Sequence, residues 1–259
     1  MRSKRLLIVG GTAEAAALAR SVVARFGDAV QVTTSLAGRT ERPAPLPGQI
    51  RIGGFGGPAG LAAFLAEHRI DRLIDATHPF AARISTTARL ACEQTGVSRL
   101  MIVRPSWRRH SLDQWIEVDG MTAAAEIVGR VGRRAWLTVG ASEIGCFSAA
   151  REVEFLVRLV DPPRGPLPLR HYQVVVGRGP FTLDEERSHF ERHAIDVLVC
   201  KASGGAATEA KIIAARQLSR PVIMLRRPPR EPGEAVETVE AALEWLACPH
   251  PRPTAKGVS

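Results

Sequence analysis

Three short segments of this sequence combine turn-forming glycines with side chains that can hold an anion or move a proton. The first is Gly10-Gly11-Thr12-Ala13-Glu14, which follows the apolar run Leu6-Leu7-Ile8-Val9 and precedes an Ala-rich helical stretch. Glycines let a backbone approach a phosphate closely, and the free N–H groups and dipole at a helix N-terminus favour an anion. A plain tight turn with Thr12 as N-cap explains the same fragment equally well. The motif is not GxGxxG, because the third glycine is missing. Glu14 adds a negative charge in the first turn, which stabilises the helix end but repels a phosphate beside it. Two roles stay open for it: accepting hydrogen bonds from a ribose, or ordering the loop.

The second segment is Asp75-Ala76-Thr77-His78-Pro79-Phe80-Ala81, where a strand ends and a helix begins. Pro79 suits the first turn of that helix, where a missing N–H costs nothing. His78 is a candidate proton donor or a hydrogen-bond donor to a ligand carboxylate, and a structural role is as well supported. The third is Val199-Cys200-Lys201-Ala202-Ser203-Gly204-Gly205, which echoes the first glycine turn late in the chain. There Lys201 closes a strand, and a cation beside exposed N–H groups makes an anion site with Ser203 and Gly204. Lys211 and Arg216, on the helix that follows, read as surface charges.

A dinucleotide fold for NAD carries an acid roughly 20 residues after its glycine turn, to hold the ribose 2′-hydroxyl. Here that stretch is Thr33-Thr34-Ser35-Leu36-Ala37-Gly38-Arg39-Thr40, without an acid. Ser35, Arg39 and Thr40 suit a 2′-phosphate, which a guanidinium grips with two parallel hydrogen bonds. A solvated loop is the competing explanation. If a dinucleotide binds, NADPH is favoured over NADH. Gly53-Gly54 ends a further short strand, and Gly54 joins the candidate cofactor contacts.

The elements that position these residues alternate. Strands are expected at 6–9, 30–34, 50–52, 73–75 and 100–103, with helices at 13–25, 58–67 and 80–94 between them. Runs buried on both faces and separated by helices give a parallel, doubly wound sheet. Periodicity is lost from Arg104 to Gly120, so the lobe boundary is set near residue 108. The second lobe, 109–248, repeats the rhythm: helix 122–131, strand 135–139, a Pro-rich loop at 161–166, strand 172–176, helix 183–193, strand 197–200, helix 207–217, strand 222–225 and helix 235–246. The tail from 249 to 259 lacks apolar spacing and is expected to be disordered. Ligands are expected at the strand C-termini, between the two lobes.

Composition narrows the partners. The 259 residues carry a formal charge of +9 but only 13 aromatic residues, eight Phe, four Trp and one Tyr. That argues against a single-strand nucleic-acid binder, which needs stacking platforms. The basic surface has a bland explanation in Arg-rich composition. The sharper one is a small polyanion, since Arg39, Arg104, Arg108 and Arg109 recur near the candidate loops. Cys92, Cys146, Cys200 and Cys248 show no CxxC pair and no metal-ligand spacing. The apolar run after MRSKR is short for a secretory signal, and no stretch approaches the roughly 20 apolar residues of a membrane span. A cytoplasmic protein without membrane contact is expected.

Taken together, GGTAEA after the first strand, DATHPFA after the fourth and KASGG after a late strand resemble the precorrin-6A reductase family, in its cobalt-free or cobalt-containing version. The resemblance extends over nearly the whole chain, and DATHPFA is its most specific element. It implies two Rossmann-like lobes able to exchange a strand, with mainly parallel sheets and the active site in the cleft between them. It also implies NADPH as cofactor and hydride delivery to the C18=C19 double bond of precorrin-6A, giving precorrin-6B on the way to cobalamin. Such a polycarboxylate tetrapyrrole agrees with the charge argument, and handover to neighbouring pathway enzymes is a further expectation. His78 and Lys201 are the candidate proton donors, with Tyr172 as a third. Two rivals remain: another NADPH-dependent Rossmann-fold reductase or epimerase, and a non-catalytic basic binding protein. A Tyr-x-x-x-Lys pair would favour the first, but Tyr172 is followed four residues on by Val176. Salt-dependent DNA retention without NADPH binding would favour the second.

Overall fold

The computed structural model describes residues 3–38 and 45–248. The apolar runs become strands, and the Ala-rich and amphipathic stretches become helices. In chain order they are β1 (Lys4–Val9), α1 (Ala13–Phe26), β2 (Val30–Leu36), β3 (Gln49–Ile52), α2 (Pro58–Glu67), β4 (Arg72–Asp75), α3 (Ala82–Thr95) and β5 (Ser98–Ile102). The chain continues through β6 (Trp115–Val118), α4 (Met121–Val131), β7 (Arg134–Leu137), a 3-10 segment (Ala141–Ala149), β8 (Glu154–Leu159), β9 (His171–Val176), α5 (Leu183–Arg192), β10 (Val197–Lys201), α6 (Ala210–Gln217) and β11 (Val222–Leu225). It closes with β12 (Ala235–Val236) and α7 (Val239–Ala247).

Two parallel sheets result, each with flanking helices, as the α/β reading expected. One has the order β3-β2-β1-β4-β5-β12 and the other β9-β8-β7-β10-β11-β6. The first is the 3-2-1-4-5-6 order of a dinucleotide-binding sheet. The sixth strands are exchanged. β6 follows β5 in the chain but pairs with β11, whereas β12 follows β11 but pairs with β5.

The chain accordingly divides into two compact units. The first runs to Arg104 and resumes at Pro228, and the second is Pro105–Arg227. This corrects the expected boundaries of 1–108 and 109–248. The segment from Pro228 returns to the first unit because β12 extends its sheet and α7 packs beside α1. The helix expected from Ala235 is corrected too. Ala235 and Val236 pair with Met101 and Ile102, and α7 starts only at Val239, with the Thr238 side chain capping the Ala241 N–H. Pro79 precedes α3 rather than lying in its first turn; the Ala81 N–H donates to the His78 carbonyl instead. The strands β6 and β8 were not expected. The tail at 249–259 lies outside the described residues.

In the first unit, α1 and α7 cover one face of the sheet. Leu18, Ala19 and Val22 of α1 pack with Leu6, Ile8, Ile74, Leu100 and Ile102, joined by Leu243, Trp245 and Leu246 of α7. Helices α2 and α3 cover the other face through Leu61, Leu65, Ala88 and Ala91 against Leu7, Val9 and Leu73. Arg72 fastens α7. It is buried, and its guanidinium donates to the carbonyls of Trp245 (2.9 Å), Leu246 (2.8 Å) and Cys248 (2.5 Å), the groups a helix C-terminus leaves without partners. In the second unit, Trp136 lies in a core with Leu156, Phe190, Leu198, Ile212 and Met224.

Candidate functional site

In the first unit β1 adjoins both β2 and β4, so the connections leaving β1 and β4 diverge and open a crevice at their C-terminal ends. The glycine turn sits at that point. Gly11 has φ +106°, a conformation that disfavours a side chain, and a Cβ built there would meet nothing within 4 Å. The turn is tied on both sides. Gly10 N donates to Ser35 O of β2 (2.9 Å), and the Thr12 hydroxyl donates to Ala76 O beyond β4 (2.6 Å). The same hydroxyl accepts from Ala15 N (3.1 Å), so Thr12 is the N-cap of α1, and Ala13 is that helix's first residue. The N-cap reading of Thr12 is thus borne out.

The other first-unit candidates line the same edge. Ser35 is buried at the end of β2, and Gly54 is exposed beyond β3, where Arg51 donates to the carbonyls of Gly53 (2.6 Å) and Gly54 (2.8 Å). The Arg51 guanidinium also lies 3.9 Å from the Phe55 ring centre, which stiffens this loop. Beyond β4, buried Asp75 accepts from both the Thr77 N–H (3.1 Å) and the Thr77 hydroxyl (2.7 Å) through one oxygen. His78 is half-buried, and its Nδ1 accepts from the Phe80 N–H at 3.3 Å. Arg39 and Thr40 lie outside the described residues. Glu14 pairs with Arg104, just past β5, at 3.4 Å. Burial draws the Arg104 guanidinium below its usual pKa range, and the Glu14 charge opposes that.

The second unit holds the late glycine loop. Lys201, at the end of β10, makes an ion pair of 2.6 Å with Glu143. The other oxygen of Glu143 accepts from Gly140 N at 2.9 Å, which fixes the start of the 3-10 segment after β7. β7 and β10 are neighbours, so this pair occupies the second sheet's own point of divergence. Ser203 and Gly204 are buried, and Gly204 has φ +65°, with Pro105 O only 2.1 Å from where its Cβ would stand. Arg227 braces the loop by donating to Ala202 O (2.7 Å) and Ser203 O (2.6 Å), and the Trp107 indole N–H donates to Gly205 O (3.0 Å). The Tyr172 hydroxyl accepts from Leu167 N, while Arg108 and Arg109 are exposed.

Local sequence held no sign of the Glu14–Arg104 and Lys201–Glu143 pairs or of the Arg227 brace, since each is made by the fold, whereas the Arg51 brace is local, reaching only two to four residues on. Lys211 is a correction: it is buried, not a surface charge, and desolvation lowers its pKa against the opposing influence of Cys200. Arg216 is bound at 2.7 Å to buried Asp113.

The family model of the precorrin-6x reductases CbiJ/CobK matches residues 5–247. A precorrin-6A reductase from Rhodobacter capsulatus is 42% identical over 243 residues, covering 94% of this chain and 96% of that protein. Another, from Rhodococcus erythropolis, is 41% identical over 243 residues, covering 93% and 97%. Among solved structures, a CobK precorrin-6A reductase matches with a TM-score of 0.89 and 41% identity, over 94% of this chain and 96% of that one.

Proposed function

The chain belongs to the precorrin-6x reductase family, and from that premise we propose that it reduces the C18=C19 double bond of precorrin-6A with NADPH, giving precorrin-6B. The observation that carries this reading is the glycine turn at the divergence of β1 and β4, tied to β2 through Gly10 and to the β4 loop through Thr12. The residues fit a dinucleotide. Gly11 leaves open space, the helix N-terminus favours a diphosphate, and residues 33–38 contain no acid to repel a 2′-phosphate.

Gly10, Gly11, Thr12 and Ala13 are assigned to the diphosphate, with Gly54 and Thr77 flanking it. Ser35, Arg39 and Thr40 are assigned to the 2′-phosphate. NADPH bound by these residues would supply the hydride from its nicotinamide ring. His78 supplies a proton or grips a substrate carboxylate. Lys201, held by Glu143, serves with Ser203 and Gly204 as an anion site for a cofactor phosphate or the macrocycle's carboxylates. The reading keeps the expectations of a cytoplasmic location and of handover to neighbouring pathway enzymes.

The decisive test mixes purified protein, NADPH and precorrin-6A, and follows the near-ultraviolet absorbance of the cofactor together with the visible spectrum of the macrocycle. Both should change together, at equal molar amounts. An unchanged macrocycle spectrum would overturn the proposal, whether or not NADPH is consumed. A parallel run with the cobalt-containing macrocycle tells which version is used.

A further inference from the structure

Glu14 is an odd residue for its position. It lies in the first turn of α1, beside the glycine turn, where a lone carboxylate would repel a diphosphate. The fold changes that balance. Oε1 of Glu14 faces Nε of Arg104 at 3.4 Å, and both side chains are largely covered, at 24% and 11% exposure. The pair is close to neutral as a unit. It also has a direction. Arg104 follows β5, so Glu14 reaches across the β4–β5 side of the divergence and away from β2.

The second oxygen of Glu14 is left over. Oε2 is buried, and among the described residues no hydrogen bond reaches it. A carboxylate is acceptor-only, and an acceptor buried without a donor costs free energy that a ligand can recover. That ligand group must be a hydrogen-bond donor. The diphosphate, the 2′-phosphate and the substrate carboxylates offer acceptors and negative charge, so none of them satisfies Oε2. In a sheet of this order the two mononucleotide halves of a dinucleotide lie on either side of the divergence. With the 2′-phosphate assigned beside β2, the nicotinamide half belongs on the β4–β5 side. Its carboxamide N–H2 is a donor that also fixes which way the ring faces.

We infer that Glu14, held by Arg104, is the positioning residue that accepts the nicotinamide carboxamide N–H2 and so orients the ring. The inference rests on the dinucleotide reading above and assigns to Glu14 a role in cofactor geometry that Thr12 and the glycines cannot supply.

The test is direct calorimetric titration of NADP+ and of its 3-acetylpyridine analogue, in which a methyl group replaces the N–H2 and the carbonyl is kept. Wild-type protein should bind NADP+ about tenfold or more tightly than the analogue, the order expected of a hydrogen bond to a charged acceptor. In Glu14→Gln, Arg104 can only donate, so it takes the amide oxygen and turns the amide N–H2 toward the ligand. The preference should then fall to near one, with the far-ultraviolet spectrum and unfolding midpoint checking that the variant is folded. A merely structural role, or a contact with the ribose hydroxyls, would change both affinities together and leave the ratio intact, which overturns the inference. Equal affinities in the wild type overturn it without any variant. Failure of the wild type to bind either dinucleotide instead removes the cofactor reading itself.

Discussion

Lys201 ends, and His78 follows by three residues, the fourth strand of a 3-2-1-4-5 arrangement, yet they are held differently. His78 accepts from Phe80 N through Nδ1, and a neutral imidazole that accepts there carries its hydrogen on Nε2. That tautomer makes it a donor. If it passes a proton during reduction, His78→Ala should lower kcat by about 100-fold, with NADPH affinity unchanged in direct titration. A loss confined to KM would assign it to gripping a substrate carboxylate instead. Lys201 is paired with Glu143, an arrangement that suits a positioned charge better than a proton donor. Cofactor choice is a separate residue-scale matter. Arg39→Ala should weaken NADPH binding by about 1.5–3 kcal/mol, the range for a charged hydrogen bond, and barely alter NADH binding. Equal losses for the two cofactors, measured side by side, would remove Arg39 from the 2′-phosphate site.

At the scale of elements, the two glycine turns differ in a way that substitution can expose. Gly11→Ala meets only the strain of a positive φ, because its Cβ points into open space. Gly204→Ala adds collisions with Pro105 O at 2.1 Å and Arg227 Nη2 at 2.2 Å. The left-handed strain alone costs about 1–2 kcal/mol, so Gly204→Ala should be the more destabilising of the two in urea unfolding. An equal shift for both would mean that the Pro105–Arg227 contact yields without cost. Elements with strong local signals were legible beforehand: β1, α1, α2, β4, β10 and β11 lie within a residue or two of their expected limits. β6 was hidden because two of its four residues are exposed and it sits among charges. β12 was hidden because two residues carry no period, and the helical spacing of α7 ran back over them. The site divides the same way. Glycine turns and strand ends are local and could be read, whereas Glu14 finds Arg104 ninety positions along the chain only once α1 packs on the sheet that holds β5.

On the scale of the whole chain, the exchange of sixth strands makes the two units unequal in autonomy. The second is one continuous segment, Pro105–Arg227, while the first cannot be completed until the chain returns at Pro228. Three losses would follow from ending the chain after Arg227. Met101 and Val103 would lose the carbonyls of Glu234 and Val236, leaving β5 as a bare edge. Leu243, Trp245 and Leu246 would leave the core against α1, at about 1.5–3 kcal/mol for each fully buried side chain. Buried Arg72 would lose three carbonyl acceptors, and hydrogen bonds to a charged group are each worth about 1.5–3 kcal/mol. Together these reach the 5–15 kcal/mol that holds a typical domain folded. A chain truncated after Arg227 should therefore be digested by protease throughout its first hundred residues while 105–227 resists, and it should fail to bind NADPH. Resistance of the N-terminal part comparable to that of the full chain would show that β1–β5 with α1–α3 suffice, and that α7 and its Arg72 clasp are dispensable to the first unit.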